Sequence, residues 1–249
     1  MKNILEISTY NIEGVRKALE LGVDRLELCD NICEGGTTPS YGFTKMAVNT
    51  GHKNIFIIVR PRGGDFLYSN DEFELMKEDI KIAKTIGVRG IVSGILTSDG
   101  KIDKVRTKEL VELSKPMSFT FHRAIDMTAN YEEAIEDLIE IGVERVLTSG
   151  QESTVPNGVE ALKNIISKAG NRINILVGSG VNPSNLLDIK EKTGAKEFHM
   201  SAVKEVKSEM KFFNDRLSMG NVDTDEYAKL TVDTEKIEGA IKVINTINN

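Results

Sequence analysis

The sequence has no apolar run approaching the roughly 20 residues that a membrane-crossing helix needs, so a helical membrane span is not expected. Cysteine is scarce: Cys29 and Cys33 are the two present, too few for a disulfide framework in a chain of 249 residues. Basic charge is also short, with 32 Lys and Arg against 38 Asp and Glu, a net charge of −6 and a pI near 5.3. That balance argues against nucleic acid as a partner, because a phosphate backbone is bound largely through clustered cations. Met1-Lys2-Asn3 runs into a strand-like segment rather than the apolar core of a signal peptide. A cytoplasmic protein with reduced thiols is the expectation. The 40% hydrophobic and 28% charged fractions are ordinary for a soluble globular chain.

What is present is a repeat. The phrase Leu-Gly-Val at Leu21-Gly22-Val23 returns as Ile86-Gly87-Val88, Ile141-Gly142-Val143 and Thr193-Gly194-Ala195, each time as a helix end, a turn and the start of a strand. The glycines are 65, 55 and 52 residues apart. A βα unit takes about 30 residues, so each interval holds two units and the total approaches eight. Strands are expected at Ile4 to Ser8, Arg25 to Cys29, Asn54 to Arg60, Gly90 to Gly94, Met117 to His122, Arg145 to Ser149, Ile173 to Gly178 and Glu197 to Ser201. Helices fall between them. Ser69 and Glu72 are spaced as a capping box ahead of Phe73, Met76, Ile80 and Ala83, and similar helices are expected after Asn130 and Asp233. The fold class is therefore α/β, a single-domain (β/α)8 TIM barrel with parallel strands spanning 1–249. Residues 202–232 form a long, weakly patterned connection of the kind that is usually functional or mobile.

Several strands carry polar residues on one parity. Glu6 and Ser8 alternate with Leu5 and Ile7; Glu27 and Cys29 with Leu26 and Leu28; Thr120 and His122 with Phe119 and Phe121; His199 and Ser201 with Phe198 and Met200. If the apolar parity faces the helices, the polar parity faces the barrel interior and converges at its C-terminal mouth, where active sites of this fold lie. Glu6, Glu27, His122, Arg123, Asp126 and His199 are the catalytic candidates. Each has a structural alternative, a hydrogen-bonded histidine or a buried ion network in which Arg60, Arg62 and Arg123 partner the carboxylates. The loop Arg60-Pro61-Arg62-Gly63-Gly64-Asp65-Phe66 offers Arg60, Arg62 and Asp65 for an anionic substrate or, alternatively, a self-stabilised loop. Glu34 belongs to a comparable loop. Gly178-Ser179-Gly180 ends the seventh strand and could present backbone N–H groups to a phosphate, or be only a tight turn. Cys29 and Cys33 are a possible Cu(I) chelate, with Met46, His122 and His199 as further ligand candidates, or two unrelated thiols.

Taken together, Glu27-Leu28-Cys29, Glu34-Gly35-Gly36 with Thr38-Pro39-Ser40, the Arg60 to Phe66 loop, Phe121-His122-Arg123-Ala124 with Asp126, Leu147-Thr148-Ser149-Gly150, and His199 with Ser201 resemble the CutC family of copper homeostasis proteins. The resemblance extends from the first strand to at least Met219-Gly220. It implies a cytoplasmic barrel, a homo-oligomer such as a dimer or tetramer, and copper-ion binding in copper homeostasis. Cys29 falls within the Glu-Leu-Cys motif and Cys33 outside it. The residues themselves also allow an isomerase, aldolase or lyase acting on a small anionic or phosphorylated substrate.

Overall fold

The computed structural model describes residues 2–214, 216, 217, 219 and 225–248. Eight parallel strands close on themselves in sequence order: β1 (Ile4–Thr9), β2 (Arg25–Leu28), β3 (Ile55–Ile58), β4 (Gly90–Ser93), β5 (Ser118–Phe121), β6 (Arg145–Thr148), β7 (Asn174–Gly178) and β8 (Glu197–Met200). Closure is made by β1, which pairs with both β2 and β8. Eight helices follow the strands: α1 (Ile12–Glu20), α2 (Tyr41–Val48), α3 (Asn70–Ile86), α4 (Lys104–Ser114), α5 (Tyr131–Glu140), α6 (Val159–Ala169), α7 (Leu186–Thr193) and α8 (Thr234–Asn248). The repeat thus counts (β/α) units correctly, and the fold is the expected TIM barrel. Among the described residues no helix is long and apolar enough to cross a membrane.

Local chemistry explains the element ends. Ser69 and Glu72 form the capping box of α3, whose C-cap Gly87 adopts φ 91°, a left-handed conformation that glycine enters at little cost. Asn130 caps α5 by accepting from the Glu133 N–H. Leu5, Ile7, Leu26, Leu28, Phe119, Phe121 and Phe198 are buried in one core with the inner faces of the helices, Val15, Ala18, Met76 and Ile80 among them.

Two differences from the sequence reading concern boundaries. Cys29, Arg60, His122, Ser149 and Ser201 lie just beyond the last ladder residues of their strands, so their side chains belong to the rim of the barrel. The 202–232 connection is not wholly irregular: Val203–Lys207 (β9) pairs antiparallel with Ala228–Val232 (β10). Residues 215, 218 and 220–224 of that connection, Gly220 of the family resemblance among them, lie outside the described residues. The ribbon is tied to the barrel through β10, where the Asn11 side chain donates to the Leu230 carbonyl at 2.8 Å and Thr231 and Val232 are buried.

Candidate functional site

The polar parity does face the interior. Arg25 on β2 donates to Glu6 and, from Nη2, to Glu197 Oε2 at 2.6 Å; Arg145 on β6 donates from Nε to the same Glu197 oxygen at 2.6 Å. Glu197 on β8 thereby reaches over β1 on one side and over β7 on the other, which side chains can do only from inside the closed sheet. Phe56 lies beneath both guanidiniums, 5.2 Å from that of Arg25 and 5.9 Å from that of Arg145. Glu6 therefore takes its guanidinium from Arg25, and Glu197 from Arg25 and Arg145, neither arginine being among the expected site residues. Arg25, Arg145 and Glu197 share the inward parity with Glu27 and His199, and continuing that period-2 reading one step down each strand would have found them.

This network grades into a cavity of about 530 Å³ at the C-terminal mouth, lined by Glu27, Cys29, Arg60, His122, Arg123, His199 and the Ser179-Gly180 turn, among others. Burial pushes the Glu6 carboxyl up, but the Arg25 charge and the His199 contact outweigh it and hold it well below the usual carboxylate range. Its Oε1 lies 2.7 Å from His199 Nδ1. His199 is the reverse case: burial favours the neutral ring, whereas the Glu6 hydrogen bond and the Glu27 charge win and raise its pKa. Glu27 Oε2 is 3.7 Å from the same Nδ1, and this carboxyl lacks a close guanidinium. Burial, helped by the Glu6 charge and opposed by His199, pushes it up to about 7. An imidazole whose charged form is favoured, held between one firmly ionised carboxylate and one that titrates near neutrality, is equipped to exchange a proton with a bound molecule. The same Glu6, Glu27 and His199 bring possible metal-ligand atoms within 4.8 Å of one another.

His122 forms the facing wall. Its Nδ1 accepts from the Ala124 N–H at 3.2 Å, so a neutral ring carries its proton on Nε2. Burial, with the Arg60 charge nearby, lowers its pKa to about 3. Gly94, just past the end of the neighbouring strand β4, makes room for the ring, because a Cβ there would sit 2.8 Å from both Nδ1 and Cε1. Gly94→Ala is accordingly expected to displace the imidazole and destabilise the fold by about 1–3 kcal/mol, measured by urea unfolding. An unchanged midpoint would show that the ring is not wedged.

The remaining predicted residues divide by position. Arg60 is 5% exposed and lines the cavity while its guanidinium clasps three loop carbonyls, Glu34 at 2.5 Å, Gly36 at 2.9 Å and Gly64 at 2.7 Å. Arg62 and Asp65 pair with each other away from the cavity lining, and Arg62 also binds Glu72. The Glu34 side chain packs over Gly63, outside the lining. Asp126 accepts from Arg123, Thr148 and Ser149 and so anchors the loop after β6; Arg123 reaches the cavity. Ser179 and Gly180 line the cavity, but the helix after them starts at Leu186, with a turn between. Gly178 sits against Leu147 and His199, where a Cβ would come within 2.6 Å of Leu147 Cδ1. Cys29 is buried in the cavity wall, and burial with the Glu27 and Glu6 charges raises its thiol pKa. Cys33 is exposed on the 3₁₀ turn Ile32–Glu34 and is not part of the lining.

The family model of the CutC family matches residues 3–204. A CutC family protein of Bacteroides fragilis is 43% identical over 249 residues, 99% of each chain. The solved structure of CutC from Streptococcus agalactiae, 33% identical, superposes with a TM-score of 0.75 and covers 79% of this chain and 97% of its own. Phosphoribosylanthranilate isomerase from Thermotoga maritima superposes with a TM-score of 0.61 over 99% of this chain and 100% of its own, and at 11% identity that likeness concerns the fold alone. A family match over most of the chain and near-complete alignment with relatives of this similarity make the chain a member of the CutC family.

Proposed function

We propose that this protein is an enzyme performing acid–base chemistry, of isomerase, aldolase or lyase type, on a small anionic substrate held in the barrel mouth. The observation that carries the reading is Glu27, a buried carboxyl poised at about 7 in the same cavity as two imidazoles and two arginines. A group titrating near the working pH both accepts and donates protons efficiently. His199, whose contact with Glu6 favours its charged form, lies beside it, and Arg123 with the Ser179-Gly180 backbone supplies the binding end for an anion. Among the described lining residues the one lysine is Lys236, placed 3.7 Å from Asp233 and half exposed, which favours proton transfer over imine chemistry. A thermal-shift screen of phosphorylated sugars and small carboxylates tests this. A true ligand at about 100 times its Kd adds about 2.7 kcal/mol of stability. If no anion in such a screen moves the melting temperature, the reading fails.

Copper homeostasis is a second reading. Family membership supports it, as do the proposed copper-homeostasis role of the Streptococcus agalactiae relative and the thiol of Cys29 in the cavity wall. The donors suit Cu(I) poorly as a thiolate pair, however. Cys33 is exposed and outside the lining, burial together with the Glu27 and Glu6 charges holds the proton on Cys29, and the grouped donors of the site, Glu6, Glu27 and His199, include no second thiolate. Titration of the reduced protein with Cu(I) against a competing chelator decides it. Unchanged affinity in the Cys29→Ala, Cys33→Ala double variant rules out a thiol site.

A further inference from the structure

His122 lines the cavity, and the acid–base reading gives it no role. It is 4% exposed, and its Nε2 is buried with no hydrogen-bond partner. The opposite nitrogen is committed to the Ala124 N–H, which fixes the tautomer and leaves Nε2 as a donor. The ring cannot easily turn away. Gly94 receives one edge, Phe66 stacks obliquely with centroids 4.9 Å apart, and Phe121 meets it edge-on at 6.0 Å. An unpaired buried donor costs about 1–3 kcal/mol. A fold that spends a glycine and two aromatic rings on holding such a donor still is built to offer it to something. Arg60, which lines the same cavity, keeps the neighbourhood positive.

A neutral N–H beside a guanidinium is matched by an oxygen atom that gains negative charge during a reaction, more than by one that carries full charge throughout. A permanent anion is better met by cations and turns such as Arg123 and Ser179-Gly180, which the cavity also has. We propose that His122 Nε2–H receives the carbonyl oxygen of the substrate, so that the substrate is an enolisable carbonyl compound carrying an anionic group. This rests on the acid–base reading of the same cavity. The step balances without a further reactant. The Glu27 carboxylate takes the proton from the carbon next to the carbonyl, and the C–H electron pair becomes the new C=C bond. The carbonyl π pair moves to the oxygen, where the His122 N–H stabilises the enolate. Return of the proton from Glu27 to the same carbon completes an exchange. Where that carbon bears a hydroxyl, return to the former carbonyl carbon, with the hydroxyl proton passing to the enolate oxygen and the second C–O bond becoming the new carbonyl, completes an isomerisation.

The test uses the intact protein in deuterated water with pyruvate, dihydroxyacetone phosphate and ribulose 5-phosphate as probes. Melting temperature reports binding, and proton NMR reports deuterium entering the carbon next to the carbonyl. The expected result is that at least one probe both stabilises the protein and exchanges. In His122→Leu, exchange should fall about 100-fold while the probe still raises the melting temperature, since one lost donor to a developing oxyanion costs 10²–10³ in rate. His122→Gln, which restores a neutral N–H donor, should keep exchange within about tenfold of the parent. Exchange at the parental rate in His122→Leu overturns the assignment, as does stabilisation by one or more probes with exchange in none of the three. If none of the three probes stabilises the protein, this inference falls, while the acid–base reading stands or falls on the wider anion screen.

Discussion

Glu27→Gln is expected to stabilise the protein by up to about 3 kcal/mol above pH 7, to leave stability nearly unchanged at pH 5, and to remove proton transfer. The carboxyl moves from an ordinary value of 4.5 to about 7 on folding, so the folded protein binds this proton more tightly than the unfolded chain. Stability from that proton is complete below pH 4.5 and drains away as pH rises to about 7, where an ionised carboxylate is trapped in the interior. Each pKa unit corresponds to about 1.4 kcal/mol, which sets the size of the effect. Glutamine keeps the shape and removes the charge. His199 adds in the same direction, because its pKa is raised on folding and its contribution also fades with rising pH. Glu6, held below its ordinary value, works oppositely and loses its contribution as pH falls below 4.5. The parent should therefore be most stable on the acid side of neutrality, near pH 5. Urea unfolding at pH 5 and pH 8 measures both effects. Equal effects of the substitution at the two pH values would mean that Glu27 does not change its charge between them. Activity on any substrate found by screening should drop by a factor of about 10²–10⁴ in Glu27→Gln, the usual contribution of a positioned acid or base.

Arg25→Met is expected to be the most damaging single change, costing about 3–5 kcal/mol. The guanidinium lies between Glu6 and Glu197, all three side chains being at most 10% exposed. Methionine fills part of the volume but leaves two carboxylates buried, with Arg145 the one remaining close cation for Glu197 and His199 for Glu6. The Glu6 pKa should rise as its largest stabilising neighbour disappears. Combining Arg25→Met with Glu6→Gln removes the stranded charge and should recover part of the loss, a coupling that a double-mutant cycle reads directly. A cost below about 1 kcal/mol for Arg25→Met, or strict additivity with Glu6→Gln, would refute a coupled network. Such networks also orient what they touch. Glu6 is the link through which the interior ion network positions His199 at the cavity.

The sequence by itself determined much of the architecture. The Gly22, Gly87, Gly142 and Gly194 phrases mark the chain reversals that feed strands β2, β4, β6 and β8, and the alternation along Ser118-Phe119-Thr120-Phe121 assigns inside and outside. Ser69 with Glu72 announces the start of α3. These signals are local: a cap, a turn or a period of two is read from residues a few positions apart. That Glu27, His122 and His199 share a cavity also follows from parity, because residues near the ends of inward-facing strands converge at the mouth.

The tertiary structure alone decided which inward groups meet. Glu6 and His199 touch across 193 residues of sequence, and Arg25 reaches Glu197 across 172, in a register set by closure of the barrel. Closure equally decided that Asp126 braces the β6 loop and that Arg60 grips three carbonyls while lining the cavity. It left Arg62, Asp65, Glu34 and Cys33 outside the lining, although their motif looked continuous with Cys29 and Arg60. The β9–β10 ribbon escaped detection for a related reason. Its strands are separated by 208–227, Val203–Lys207 has mostly charged or exposed positions, and neither strand has a pattern that reveals its partner. Local periodicity fixes the direction in which a side chain points. Which group it finds there depends on strand stagger and loop path, which are properties of the closed barrel as a whole.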